Sequence, residues 1–138
     1  MGFKVTKINQ FVPPDQFTKA GGTWTIGVSS NVVAQTRSTA DSSFALYLPV
    51  ILPSSEAYRQ GTYLKSIDVM YKIAGAAADD FSAPVLNKMT VSSAGAATGE
   101  AVTTTLDTGH DIAAERLAVG SHRMTVSLET PEWMDDNC

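Results

Sequence analysis

The sequence predicts an all-β fold: an antiparallel β-sandwich or jelly-roll-like domain with at most one or two short helical turns. The clearest observation is residues 63–73, where apolar and polar side chains alternate. The apolar positions there are Ile67, Val69, Tyr71 and Ile73. A period of two places one apolar face against a core, whereas a helix would distribute these residues around its circumference. About seven segments of this kind, separated by turn-forming residues and without a long helical pattern, indicate a sandwich or jelly roll.

Length and composition restrict the class of protein. A chain of 138 residues corresponds to one domain that can bury a core. Charged residues make up 17% of the chain, below the usual proportion of about 25%. This favours an uncharged polar surface, which is common in β proteins that pack against copies of themselves. The formal net charge is −4 and the basic residues are dispersed, so we expect no nucleic-acid partner.

The sequence also gives no indication of a cofactor, a disulfide or a membrane anchor. Cys138 is the single cysteine, so an internal disulfide is impossible, and the ligands of a structural zinc site are missing. The N-terminus lacks the apolar stretch of a signal peptide, and no apolar run approaches about 18 residues. We expect no cofactor, no metal and no membrane partner, and a protein that is made in a cytoplasm without processing.

We predict two parts: an N-terminal edge strand or arm over residues 1–21, and a β-sandwich domain over residues 22–138. Residues 3–12 can form a strand, but their alternation slips, and Pro13-Pro14 prevents continued ladder pairing. Two interpretations remain open for this segment. It is either a first edge strand or an arm that lies on a neighbouring subunit.

The first strands of the domain follow the turn at Gly21-Gly22. Trp24, Ile26 and Val28 alternate with small or polar residues, which places Trp24 in the core. A polar break at 29–31 precedes a short apolar run that resumes the strand pattern.

Residues 44–52 show the longest regular alternation in the chain. Pro49 lies inside this run and cannot donate to a ladder, so we expect an edge strand or a bulge. Tyr47 lies on the parity opposite to Phe44 and is therefore the better candidate for a surface aromatic residue. Residues 54–60 are expected to form one helical turn before the strand at 63–73.

The second half of the domain contains three further predicted strands. They lie at 85–91, 101–106 and 123–129; the first has Val85, Asn87, Met89 and Val91 on one parity, and the last has Met124, Val126 and Leu128. Thr130-Pro131 is expected to end the last strand. The acidic turn Asp135-Asp136-Asn137 normally introduces another strand, so either a final strand is missing from this chain or Cys138 closes the fold without it. A missing strand would leave an open edge that invites pairing with another chain.

Residues 107–120 allow two interpretations. A short helix over 112–118 would be capped by Asp111 and ended by Gly120. A loop with a short strand at 116–119 fits the same residues equally well.

Residues 110–123 contain the one group of side chains that resembles a site: His110-Asp111, Glu115-Arg116 and His122-Arg123. Histidines and carboxylates can bind a metal or transfer protons, so one function class is a metal-dependent hydrolase at His110, Glu115 and His122. The HExxH spacing is absent, and His-Asp beside a glycine more often satisfies the backbone of a turn. We therefore predict no catalytic residues. The aspartates at 79–80, 107 and 135–136 lack an EF-hand pattern and are expected to lie in solvated turns.

Four segments carry a resemblance to known proteins: GGTWTIGVSSNV, FALYLPVILPS, GTYLKSIDVMYKIAGAAADDF and LDTGHDIAAERLAVGSHRMTVSLETPEWMDDN. Together they resemble small β-sandwich proteins that are encoded among tailed-bacteriophage structural genes and in environmental viral sequences. The similarity covers roughly residues 22–137, and its motifs are structural: a strand that ends in Tyr-x-Ile before an Ala-rich loop, and Pro-x-Trp before an acidic turn. Relatives of this kind continue through further strands after the acidic turn, where this chain departs from them.

The resemblance implies a non-enzymatic virion protein, such as a capsid decoration or a head or tail accessory protein, assembled in the host cytoplasm. We expect a homo-oligomer, preferably a trimer because trimers are frequent in such assemblies, that also contacts other virion proteins. The residues predicted for its interfaces are Phe3, Phe11, Tyr47 and Trp133. The alternative function is a carbohydrate-binding module of a fibre or secreted protein. The aromatic side chains that would stack on sugars are Trp24, Tyr47, Tyr58, Tyr63 and Trp133.

Overall fold

The all-β prediction is confirmed by a computed structural model that describes residues 9–29, 31–37, 44–50, 62–75 and 82–134. All strand pairs among these residues are antiparallel, and the helical content is one 3-10 turn and one short helix. The elements are the 3-10 turn Pro14–Gln16, β1 Thr18–Gly21, β2 Thr25–Ser29, β3 Val32–Thr36, β4 Ala45–Tyr47, β5 Thr62–Ile73, β6 Leu86–Val91, β7 Ala97–Val102, β8 Thr104–Leu106, α1 Ala113–Arg116 and β9 Gly120–Met134.

The chain divides into two compact units, Met1–Ile51 and Leu52–Cys138. In the first unit β1 pairs with β4 and β2 pairs with β3. The β2–β3 hairpin runs in register from Thr25 opposite Thr36 to Ser29 opposite Val32. Asn31, in its turn, has a φ of 64°, a left-handed conformation that asparagine tolerates better than most residues. Of the polar break expected at 29–31, Ser29 ends β2 and Asn31 lies in the turn before β3, and residue 30 lies outside the described residues.

The strands of the first unit leave their apolar side chains exposed. Ile26, Val28, Val32 and Val33 are all exposed, although their alternation predicts a buried face. Trp24 lies before β2 and is half-buried. Its Nε1 donates to the Gly21 carbonyl at 2.8 Å, and its ring meets Phe44 edge-on at 6.0 Å. The expectation that Trp24 belongs to a regular strand is wrong, because it packs against the turn instead.

The strand expected over residues 44–52 is much shorter. Only Ala45–Tyr47 is in β4, and residues 48–50 are outside any strand. Pro49 has no N–H to donate, which removes a ladder bond from a strand that has a single partner.

The second unit is built on β9, which lies between β5 and β8 in a three-stranded sheet. Met124, Val126 and Leu128 on β9 are the buried apolar side chains of the described residues. The register places Val69 of β5 opposite Met124 and Ile67 opposite Val126. Residues directly opposite each other in a sheet share a face, so the two alternating runs that predict these strands meet in one core, as expected.

A large irregularity interrupts the pairing of β5 with β9. The register changes from Leu64 opposite Glu132 to Ser66 opposite Ser127, so on the β5 side only Lys65 lies opposite residues 128–131 of β9. The Glu129 amide donates instead to the Thr103 carbonyl at 3.2 Å. The expectation that Thr130-Pro131 ends the strand is wrong, because pairing resumes beyond the proline and β9 extends to Met134.

The β6–β7 hairpin has an inverted side-chain pattern. Val85, Met89 and Val91 are 67%, 66% and 58% exposed, whereas Leu86, Lys88 and Thr90 are half-buried. The Lys88 ammonium binds Glu132 of β9 at 2.9 Å, so the even-numbered positions of β6, which include Leu86, lie on the side where β6 contacts β9. The strand expected over 101–106 is divided into β7 and β8 at Thr103.

The helical interpretation of residues 107–120 is correct, but the cap is not Asp111. The helix α1 begins after Ile112, and no side chain caps its N-terminus. Among the described residues no helix has the length and apolar character needed to cross a membrane. The helical turn expected at 54–60, the aspartates at 79–80 and the acidic turn at 135–137 lie outside the described residues.

We predict that Met124→Ala lowers the free energy of unfolding of the second unit by about 2–5 kcal/mol, because it opens a cavity in a small core. Met124 is 1% exposed, and Met70 of the neighbouring strand is 70% exposed, so Met70→Ala is a matched control with an expected loss below about 0.5 kcal/mol. Chemical denaturation of dilute protein measures both. Equal losses would contradict the assignment of the core to this face.

A histidine cluster between β5, β9 and the loop after β8

Asp107 directly follows β8. It fixes the start of the next loop against β9. Its amide donates to the Thr125 carbonyl at 3.1 Å, and its Oδ2 accepts the Thr125 amide at 2.6 Å. Its Oδ1 accepts the Gly109 amide at 3.0 Å, and its carbonyl accepts the His110 amide at 3.0 Å. The Asp107 carboxylate therefore accepts the Thr125 amide in place of a backbone carbonyl. The Asp107 carbonyl is left to accept the His110 amide and so forms a turn.

The turn brings His110 against His122 of β9. His110 Nδ1 lies 2.7 Å from Asp107 Oδ1, and His110 Nε2 lies 3.2 Å from His122 Nδ1. His122 Nε2 lies 2.6 Å from the Ala118 carbonyl oxygen. All four ring nitrogens of the two histidines thus have a partner within the protein.

Tyr71 of β5 and Arg116 of α1 enclose the pair. The Tyr71 ring stacks on His122 with centroids 4.8 Å apart and an interplanar angle of 8°. Its hydroxyl donates to the Arg116 carbonyl at 3.0 Å. The buried Arg116 side chain donates through NH1 to the carbonyls of His110 and Asp111, at 3.2 and 3.1 Å. The helix is therefore held to β5 by its backbone and to the turn by its guanidinium.

Two pKa values in this cluster are shifted. The Thr125 amide, followed by the His110 side chain, lowers the pKa of Asp107, because both favour the ionised carboxylate. Burial raises the pKa of the Tyr71 phenol, while nearby Arg116 acts in the opposite direction. Asp107 is thus maintained as an acceptor and Tyr71 as a donor.

The structure brings together only part of the site suggested by the sequence. His110 and His122 meet, but Glu115 does not complete a metal site, since no group of three or more His, Cys, Asp or Glu residues within the described ranges has the required arrangement. The Oε2 atom of Glu115 is instead buried without a hydrogen-bond partner. The hydrolase ligand set is therefore not formed. Asp107, expected in a solvated turn, is the anchor of the cluster.

Arg123 and Asp68 form a separate pair that is more exposed to solvent. Arg123 Nε donates to Asp68 Oδ2 at 3.1 Å, and the Thr125 hydroxyl donates to Asp68 Oδ1 at 2.8 Å. Because Arg123 is exposed, solvent screens the pair and its contribution to stability is small.

Three of the four residues predicted for interfaces are exposed. Phe11 is 76% exposed, and Tyr47 and Trp133 are also exposed; Phe3 lies outside the described residues. Trp133 is paired with Tyr63 across the β5–β9 ladder, with ring centroids 4.9 Å apart. The sequence analysis groups Tyr63 with Trp133 for the carbohydrate alternative, and the register beyond Pro131 places the two residues opposite each other.

Comparison with known proteins gives no relative. No family model matches the chain, and neither a curated protein nor a solved structure is detectably similar to it.

We predict that Asp107→Asn makes the free energy of unfolding less dependent on pH in the acid range. Since the pKa of Asp107 is lowered on folding, its stabilising contribution is present above the ordinary aspartate value and is lost as the pH falls through the lower value in the folded protein. At neutral pH the variant should therefore be less stable than the wild type, and the difference should shrink below about pH 4.

Urea denaturation across this pH range measures the effect. Asp111→Asn is the control, because Asp111 is an exposed carboxylate in the same loop; its profile should parallel that of the wild type. A constant difference between Asp107→Asn and the wild type at every pH would contradict the assigned role of the carboxylate.

Proposed function

We propose that the protein is a non-enzymatic structural subunit that assembles with copies of itself and with other virion proteins. The observation that carries this proposal is the outer face of the β6–β7 hairpin. A strand normally turns its apolar residues inward and its charges outward. On β6 the charged Lys88 is half-buried, while Met89 and Val91 point to solvent.

The outer face is also free of charge across both strands. Opposite Asn87, Met89 and Val91 on β6 lie Ala101, Gly99 and Ala97 on β7. A row of larger side chains therefore borders a row of small ones. An exposed apolar patch without charge is typical of a surface that another protein covers.

The first unit supports the same function with a second apolar surface. Its exposed apolar residues are Phe11, Ile26, Val28, Val32, Val33 and Tyr47. Within the part of this unit that the structure describes, the sheets have two strands each, and a two-stranded sheet is marginally stable alone. Open edges can accept a strand from another chain, and repeated weak contacts in a symmetric assembly add through avidity.

The cluster around His110 supports the non-enzymatic part of the proposal. Each ring nitrogen of His110 and His122 is occupied by a protein group. A general base must reach the proton that it removes from a substrate, and both imidazoles are committed to internal contacts. The cluster is therefore best explained as a structural lock for the loop after β8.

The setting within a virion rests on the resemblance of the sequence segments described above. On that basis we propose a phage capsid decoration or head or tail accessory protein, assembled in the host cytoplasm, with a trimer as the preferred oligomer.

Sedimentation velocity over a concentration series tests the assembly function. We expect the wild type to form concentration-dependent oligomers and Met89→Glu to weaken them by about tenfold or more, since a buried unpaired charge is costly. Thr108→Glu, in an exposed loop, is the control and should leave assembly unchanged. A wild type that remains monomeric at every concentration and does not bind candidate capsids would contradict the proposal.

A second candidate, carbohydrate binding, is favoured by the exposed pair Tyr63 and Trp133. Aromatic faces stack on the apolar faces of sugars, and the edge-to-face contact orients the two rings. Titration of tryptophan fluorescence with oligosaccharides tests it. Saturable quenching that is lost in Trp133→Ala and retained in Trp24→Phe would favour this function, and unchanged fluorescence would exclude it for the sugars used.

A further inference from the structure

The contacts of His110 and His122 form one continuous chain. It runs from Asp107 Oδ1 to His110 Nδ1, from His110 Nε2 to His122 Nδ1, and from His122 Nε2 to the Ala118 carbonyl. Both ends of the chain are acceptors. A carbonyl oxygen can only accept, and the Asp107 carboxylate already accepts the amides of Thr125 and Gly109.

The number of hydrogens follows from these end groups. Three contacts between three pairs of atoms need three hydrogens, and the two imidazoles must supply all of them. Two neutral imidazoles carry two N–H hydrogens, which the acceptors at the ends require, so lone pairs on His110 Nε2 and His122 Nδ1 would then face each other. Two charged imidazoles carry four, so two N–H groups would face each other. One neutral and one charged imidazole satisfy every contact.

We propose that His110 and His122 form a binding site for a single shared proton, which holds the segment 107–118 against β9. The contact between the two rings forms when the pair carries one proton and breaks when it carries none or two. This inference goes beyond the assembly function and does not depend on it.

The charged groups around the pair come from each neighbouring element. Asp107, after β8, contacts His110 Nδ1 directly. Arg116, on α1, directs its Nη1 at the carbonyls of His110 and Asp111. Tyr71, on β5, presents its ring face to His122. The remaining carboxylates of the segment are Asp111 and Glu115.

The proton affects what the molecule presents to solvent. The stretch from Asp107 to β9 carries Ile112 and Val119, both exposed apolar residues. Breaking the contact between the rings would leave this stretch held by Asp107 at one end, by the Tyr71 hydroxyl at α1 and by the contact of His122 Nε2 with the Ala118 carbonyl. A change in proton count would therefore loosen the turn between Asp107 and α1, which carries Ile112, without unfolding the core.

NMR of the histidine ring nitrogens in the wild-type protein tests the proposal directly. We expect a scalar coupling between His110 Nε2 and His122 Nδ1 across the hydrogen bond at intermediate pH, with three ring N–H hydrogens in total. The coupling should vanish at both higher and lower pH while the β-sheet signals persist. Absence of the coupling at every pH, with the two rings titrating independently, would overturn the proposal.

Variants give a second measurement. A double-mutant cycle with His110→Gln and His122→Gln should show a coupling of about tenfold in the unfolding equilibrium constant at intermediate pH, which disappears at both extremes. A coupling that is independent of pH would indicate packing alone and would overturn the proposal. Tyr71→Phe retains the stacked ring and both histidines, so it should keep the scalar coupling seen by NMR.

Discussion

The pairing of β9 with β5 is the interaction on which the second unit depends. It places Met124 and Val126 beside Val69 and Ile67, and these residues supply much of the buried apolar surface. The same register places Tyr71 opposite His122, so the stacked rings are a direct product of the ladder. A slip of one residue would move every side chain of β9 to the other face. The core and the histidine cluster are consequently specified together.

The ring nitrogens of the histidine cluster have partners within the protein, whereas the apolar outer face of β6–β7 is exposed to solvent. The cluster is satisfied internally, since each polar atom that binds His110 or His122 belongs to the same chain. The outer face of β6–β7 is not satisfied in this way, because its apolar groups meet solvent while Lys88 is committed to Glu132. This contrast is the reason for assigning a structural role to the first and an assembly role to the second.

The sequence predicts β5 and β9 well because their alternation and their burial agree. The pattern is less informative on β6, where the same alternation occurs but Met89 and Val91 face solvent while Leu86 and Lys88 are half-buried. Alternation identifies two faces without stating which is covered. The more covered side is the one on which Lys88 binds Glu132, a residue that lies far away in the sequence.

The candidate site could be predicted only in part for a related reason. His110 and His122 are close in sequence and form one group there, but Asp107 and Tyr71 join them through strand register. Tyr71 lies on the apolar parity of its strand and shows no polar signal of its own. The continuation of β9 beyond Pro131 is equally hidden in the sequence. A proline normally stops a strand, but this one lies in the stretch 128–131 of β9, opposite which β5 has only Lys65.

The bond between the Thr125 amide and the Asp107 carboxylate has a consequence for local dynamics. Amides in a sheet are usually protected from solvent exchange by a backbone carbonyl, which does not ionise near neutral pH. Thr125 instead donates to a group that gains a proton in acid. Its deuterium uptake, after correction for intrinsic chemistry, should therefore accelerate on acidification earlier than that of its neighbours along β9. A single backbone position would then report when the loop after β8 begins to detach.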